Sequence, residues 1–196
     1  MRTAWSRGIL RFVVILLVTL AALIALWPRV APLYTSAVAT VARPAFRAVE
    51  SPNATVIDVM DDELHVYEIV GQGRITPVVT FEPYVFFAMA PLIALFIATP
   101  GLGVRRRFAR TIAGAAALYC LHVAYLVVSV ELIYATAEGN TLEALQVAVR
   151  VAWEVSPILI WIALTAGAWK RLLRTARTDR ARKERSQSAG PVGAEG

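Results

Sequence analysis

A single cysteine, Cys120, and two histidines, His65 and His122, are all that this 196-residue chain offers of the softer metal ligands. One thiol excludes a secreted scaffold stapled by disulfides, and no Cys/His spacing suggests zinc. Charge is scarce as well: 17% of residues are Asp, Glu, Lys or Arg, against about 25% in an average soluble domain. Gly101-Leu102-Gly103 is followed by Arg106 where a dinucleotide fingerprint needs its third glycine, so neither that motif nor a P-loop is complete. A serine nucleophile elbow is also missing. What is present is apolar: 58% hydrophobic residues and a mean hydropathy of +0.59, gathered in blocks. The pattern excludes disorder and a collagen-like fibre, and describes a small integral membrane protein with room for about four spans and one modest outer module. A formal charge of +6 would suggest nucleic acid in a soluble protein. Here it is a topology signal, and no nucleic-acid partner need be invoked.

The first apolar block, 9–27, follows a short N-terminus (1–8) carrying Arg2 and Arg7, with Arg11 near its start. Trp27-Pro28-Arg29 comes next with no small-x-small cleavage pattern, so an uncleaved anchor is expected rather than a signal peptide. The second block, 83–99, has only 17 residues with Pro91 at its middle, near the lower limit for a span and calling for neighbours to accommodate a kink. The third, 111–134, contains Tyr119, Cys120, His122, Tyr125, Ser129 and Glu131. The fourth, 147–169, opens on Arg150, Glu154 and Pro157, charged turns that belong at a span's outer end.

With the N-terminus in the cytoplasm, four spans return the C-terminus there. The inner set is then Arg2, Arg7 and Arg11, the loop 100–110 with Arg105, Arg106, Arg107 and Arg110, and the tail 170–196, basic from Lys170 to Arg185. Fifteen of the 20 Lys and Arg fall inside, whereas eleven of the 14 acids fall outside; the halves carry +12 and −6. The positive-inside rule counts Lys and Arg, so both termini are expected in the cytoplasm of a bacterial inner membrane. Arg105, Arg106, Arg107, Arg110, Lys170, Arg171 and Arg174 are expected against lipid headgroups, each worth about 1 kcal/mol near an anionic surface. The residues from Ser186 onward are expected to be disordered.

Residues 28–82 make the one large outer piece, since the outer loop 135–146 is short. Val30, Leu33, Tyr34, Ala37, Val38, Val41, Ala45, Phe46 and Val49 recur every three or four positions as an amphipathic helix. Pro32 suits a first turn, Pro44 should kink the helix, and Ser51-Pro52-Asn53 should end it. Such a helix either lies on a membrane surface or packs on the strands that follow; the second reading is the simpler. Strand-like runs cover 55–60, 64–70 and 74–81, with Asp61-Asp62-Glu63 at a hairpin tip, Gly71-Gln72-Gly73 at a second turn, and Pro77 marking an edge strand. Asp58, Asp61, Asp62, Glu63 and Glu68 lack EF-hand spacing, and a solvated acidic hairpin explains them better than calcium. Asn53-Ala54-Thr55 is a glycosylation sequon only in a suitable host. The expected fold is thus mainly α: four transmembrane helices and a small extracytoplasmic α+β module, an amphipathic helix with a three-stranded antiparallel sheet.

Polar residues inside spans are the best functional clues, because burying them costs free energy. Arg150 and Glu154, four apart, should pair on one helix face, and Glu131 lies at similar depth, so an interhelical cluster of Glu131, Arg150 and Glu154 is geometrically open. It reads as a proton, substrate or docking site, or more simply as a structural ion pair. His122, Tyr125 and Ser129 share one stripe; His122 titrates in the right range for proton transfer, but an interhelical hydrogen bond is the plainer role. Cys120 is rotated by about 200° from His122, which disfavours a Cys–His nucleophile, and it reads as a small buried apolar residue. Small residues at Ala113–Ala117 and at Ala163, Ala166, Gly167 and Ala168 suggest a close pairing of spans three and four. No metal and no cofactor is expected.

The order of features carries a resemblance. An anchor leads to a Pro32-Leu33-Tyr34 helix, a β-rich segment, and Phe81-Glu82-Pro83-Tyr84 entering Ala90-Pro91-Leu92-Ile93-Ala94-Leu95; Ala98-Thr99-Pro100-Gly101, an arginine cluster, and a late Pro157 with Trp161 follow. Over most of residues 8–170 this resembles the exosortase H-associated membrane proteins, small bacterial proteins that accompany a membrane-embedded sorting enzyme. The resemblance implies a non-catalytic accessory or scaffold beside an exosortase-like membrane transpeptidase, with the lipid bilayer as its other partner and no catalytic residues to carry over. The exosortase itself resembles a Cys/Arg/His membrane peptidase, and no matching motif surrounds Cys120. The rival expectation is an intramembrane enzyme or proton-coupled carrier using His122, Glu131, Arg150 and Glu154. A ligand sensor is a third, disfavoured because the inner segments are only short basic stretches.

Overall fold

A computed structural model of the chain describes residues 2–49, 55–70, 73–137 and 142–188. Four α-helices and one sheet make up the described fold: α1 (Arg2–Val49), β1 (Thr55–Met60), β2 (Glu63–Val70), β3 (Arg74–Phe81), a 3-10 segment (Pro83–Ala88), α2 (Met89–Ala98), α3 (Val104–Ala137) and α4 (Glu143–Ser188). Three of the helices, α1, α3 and α4, contain stretches long and apolar enough to cross a membrane. The second apolar block is not one α-helix: its first six residues form the 3-10 segment and only ten continue as α2.

The anchor and the amphipathic segment are a single helix. α1 runs through Pro28, Pro32 and Pro44 without ending, although each proline removes a helical hydrogen bond. What compensates is packing: Ala31, Thr35, Val38, Ala39, Ala42 and Phe46 bury one continuous face. That face is offset from the expected stripe, since Leu33, Val41 and Val49 stay exposed. The expected helix stop at 51–53, the sequon asparagine Asn53 and residues 71–72 of the second turn lie outside the described residues.

The sheet is a meander in the order β1-β2-β3, antiparallel throughout. Asp61 and Asp62 close the first hairpin with both φ angles positive, 51° and 68°, between the paired residues Met60 and Glu63; two left-handed residues match the twist of a two-residue hairpin. Pro77 sits in β3, an edge strand, where the register slips so that Val66 faces Val79 while Tyr67 faces Pro77. The bulge tolerates the missing donor. Leu64, Val66 and Phe81 point inward and join Val38, Ala42 and Phe46 of α1 and Val123, Leu126 and Val130 of α3 in one core. A second core, Met89, Leu92 and Phe96 of α2 with Leu118 of α3, is flanked by Ile160, Trp161 and Leu164 of α4.

The close approach of α3 comes from Gly114. A Cβ added there would lie 2.5 Å from Phe96 Cε2 and 3.5 Å from Ile160 Cγ2, so α2 as well as α4 uses the gap. In the other expected small-residue set Ala168 is buried, but nothing lies within 4 Å of where a Gly167 Cβ would be. The arginines of the expected loop 100–110 lie in the first turns of α3, which starts at Val104, and α4 continues through the basic tail to Ser188. Residues 189–196, most of the stretch expected to be disordered, lie outside the described ones.

Candidate functional site

His122 is completely buried at the meeting point of four elements. Its Nδ1 lies 2.6 Å from the Tyr34 hydroxyl of α1. Its ring is 4.2 Å from Trp153 of α4, 5.4 Å from Phe86 of the 3-10 segment and 5.5 Å from Tyr34 by centroids. With Nδ1 accepting from Tyr34, the remaining proton sits on Nε2, which is buried with no hydrogen-bond partner among the described residues. Aromatic faces are the acceptors at hand, a weak but recurrent arrangement. The adjacent Tyr119 hydroxyl donates to the Ala37 carbonyl at 2.7 Å, giving α3 a second bond to α1.

Tyr125, one turn on from His122, stacks on Trp153 at 4.6 Å and 21°. Trp153 is thus clamped between His122 and Tyr125. Its backbone is fixed too: Pro157 supplies no N–H to the Trp153 carbonyl, and the Ser156 hydroxyl donates to that carbonyl at 2.8 Å instead. A second polar cluster ends α2. Thr99, fully buried, donates its hydroxyl to the Leu95 carbonyl at 2.6 Å and accepts the Trp161 indole N–H at 2.8 Å, while Arg107 Nη2 donates to its carbonyl at 3.2 Å. Phe12 of α1 stacks on Trp161 at 6.4 Å, closing the far end of the bundle.

Arg150 and Glu154 pair at 3.3 Å as the spacing requires, with side chains 75% and 61% exposed. Around them the helices leave three neighbouring clefts. One of about 370 Å³ brings Ser129, Tyr125 and Arg150 together with Val79 and Phe81 of β3. A second, about 400 Å³ and lined almost wholly by apolar side chains, runs along α3 and α4 past Leu121, Val128, Trp153 and Leu159. The third, about 450 Å³, is bounded by Tyr84 and Phe87 on one side and Tyr125, Arg150, Trp153 and Glu154 on the other.

The expected residues therefore divide. Tyr125, Ser129 and Arg150 share a cleft, and Glu154 joins Tyr125 and Arg150 in the next; His122 lines none of them. Glu131 is half-buried on α3. Cys120 is exposed rather than buried, because the residue two before the inward-facing His122 must point outward. Arg105, Arg106 and Lys170 are exposed, whereas Arg107 and Arg110 are half-buried, and Arg107 spends part of its guanidinium on Thr99 instead of lipid. The side chains of Arg171 and Arg174 lie outside the described ones. Among the described residues no group of three or more His, Cys, Asp or Glu side chains is placed to hold a metal ion.

Sequence reasoning missed Tyr34, Phe86, Trp153 and Thr99. Trp153 had a signal: it falls between Arg150 and Glu154 and four residues before Pro157. Tyr34 had its place on the expected apolar stripe, but its pairing with His122, 88 positions on, had no signal. Comparison with known proteins adds nothing: no family model, no curated protein and no solved structure matches the chain.

Proposed function

We propose that the chain is a non-catalytic accessory or scaffold protein of the bacterial inner membrane, working beside an exosortase-type protein-sorting enzyme. The observation that carries this reading is the environment of His122. A general base must reach the proton that it abstracts, and His122 is walled in by Tyr34, Phe86 and Trp153. The group best suited to proton chemistry is committed to joining helices. The partner comes from the resemblance of the Phe81–Leu95, Ala98–Gly101 and Pro157/Trp161 features to the exosortase H-associated proteins.

The membrane level follows from the sheet. Open sheet edges do not occur in hydrocarbon, where their backbone groups would have no partners. β1 and β3 are both edges, and the sheet shares its core with Val123, Leu126 and Val130. The sheet supports a hydrocarbon boundary near His122 on α3, a dozen residues before the expected end of that span at Tyr134. Trp27, Tyr34, Tyr125 and Trp153 gather near that level, as interfacial aromatics do. Further in, α3 reaches its arginines Arg110 to Arg105 after 12 to 17 residues and α4 reaches Lys170 to Arg174 after 17 to 21 residues, at the lower end of a span's length. Phe86 of the 3-10 segment packs on His122 at the proposed boundary, so only α2, about 15 Å long, continues inward, and the proposed fourth crossing is a short one held among α1, α3 and α4. With both termini on the basic, cytoplasmic side, the sheet module stands outside, where it would meet the enzyme or its substrate tails.

Photocrosslinking from exposed sheet positions such as Val56 and Ile75 in native membranes tests the proposal. Recovery of an exosortase-like transpeptidase is the expected result; crosslinks to no such enzyme sink it. One observation favours a second reading, an intramembrane enzyme or proton-coupled carrier using His122, Glu131, Arg150 and Glu154: Arg150 opens into the same cleft as Ser129 and Tyr125. Alanine at each of the four positions that abolished function at unchanged membrane levels would install that reading instead.

A further inference from the structure

We infer that the cleft between the 3-10 segment, α3 and α4 holds one zwitterionic phospholipid with a primary-ammonium headgroup, phosphate on Arg150 and ammonium on Glu154. The inference rests on the membrane level proposed above, which sets Trp153 at the hydrocarbon boundary and its flanking charges among headgroups.

Two neighbouring cavities of opposite character meet at shared residues. Tyr125 and Trp153 line both the 450 Å³ cleft that contains Arg150 and Glu154 and the 400 Å³ apolar groove. Each volume is within the range of small-molecule sites. The polar cleft presents one guanidinium, one carboxylate and the aromatic rings of Tyr84, Phe87, Tyr125 and Trp153. A guanidinium is the preferred protein partner for phosphate oxygens. A carboxylate beside aromatic rings suits an ammonium, by charge and by cation–π attraction. Arg150 and Glu154 are mostly exposed, so a ligand reaches both without unfolding anything, and their separation along α4 is one helical turn. An anionic lipid would meet Glu154 as a like charge, whereas a zwitterionic headgroup satisfies both ends. On the membrane side of Trp153 the groove passes Leu121, Leu159 and Ile160, with Ser156 the polar side chain among them; an acyl chain is the apolar continuation that such a headgroup carries. Trp153, stacked on Tyr125 and packed on His122, is rigid at the junction.

The full chain in nanodiscs of equal phosphatidylethanolamine and phosphatidylglycerol, matched in acyl chains, is released and weighed by native mass spectrometry. Wild type should retain one phosphatidylethanolamine in preference to phosphatidylglycerol. Losing a charge-assisted contact should weaken retention about tenfold, so Arg150→Gln should lower both lipids. Glu154→Gln should bring the two lipids toward equal retention, and Leu121→Trp, at an exposed position, should block the groove and lower both. Equal retention by wild type, preference for phosphatidylglycerol, a ratio unmoved by Glu154→Gln, or total retention unmoved by Leu121→Trp would overturn the site. The crosslinking outcome for the accessory role does not depend on any of these readings.

Discussion

Ser156 donates its hydroxyl to the carbonyl of Trp153, at 2.8 Å, in the turn where Pro157 withholds the usual helical N–H. Three consecutive needs meet here: Pro157 leaves a carbonyl open, a buried open carbonyl is costly, and the side chain immediately before the proline fills it. Trp153 is the residue whose backbone is steadied, and its ring packs on His122. Replacing Ser156 by Ala should therefore cost about 1 kcal/mol of stability. Thr should preserve most of it. Unfolding in detergent, followed by tryptophan fluorescence, measures both; an Ala variant as stable as wild type would show that water satisfies the carbonyl instead.

Tyr34→Phe isolates the bond to His122. It removes the hydroxyl 2.6 Å from Nδ1 but keeps the ring that packs on Phe86 and Tyr119. A buried ring nitrogen left without its partner should cost about 1–3 kcal/mol. The double variant with His122→Leu should cost less than the two single changes added together, because neither polar group then remains. Strict additivity in that cycle would mean that the bond contributes nothing beyond packing.

At Gly114 the expected failure is steric. Any side chain starts 2.5 Å from the ring of Phe96, itself fully buried. Gly114→Ala should destabilise by about 1–3 kcal/mol through overpacking, despite the better helix propensity of Ala. Combining it with Phe96→Leu should recover part of the loss, since the colliding ring atoms are gone.

The strands were legible because their chemistry is local: alternation, β-branched residues and an Asp-Asp tip fall within a few positions of one another. The inner face of α1 was not. Hydrophobicity alone does not mark the inward side of this helix: Leu33, Val41 and Val49 remain exposed while Ala31, Ala39, Ala42 and Thr35 are buried. Close helix approach selects small residues, and periodicity weighted by size would have found the face. The His122 site was half legible: the polar residue itself stands out in its apolar helix, but Tyr34 and Phe86 arrive from distant segments through tertiary packing.

The hairpin tip can be improved. Asp61 and Asp62 both adopt positive φ, a conformation that costs an ordinary L-residue roughly 1–2 kcal/mol, though Asp and Asn less. Asn-Gly is the favoured pair in such turns, so the double change Asp61→Asn, Asp62→Gly should stabilise the hairpin by a few tenths to about 1 kcal/mol. Denaturant unfolding monitored by amide exchange in β1 and β2 reads it directly.

Cysteine labelling decides where the membrane begins on α3. Cys120 is exposed and, under the proposed boundary near His122, would face lipid from just inside it. Ser129 lies two turns further on and lines a cleft beside Val79 and Phe81 of the sheet, so it should meet water. In intact cells permeabilised only at the outer surface, a membrane-impermeant maleimide should leave native Cys120 unmodified. The same reagent should label Ser129→Cys in a Cys120→Ser background, a nearly isosteric change. Protection at both positions would place 123–134 in hydrocarbon, and the sheet edges beside them would then need a protein partner to satisfy their backbone groups. Labelling at both would move the boundary further toward the arginine-rich start of α3.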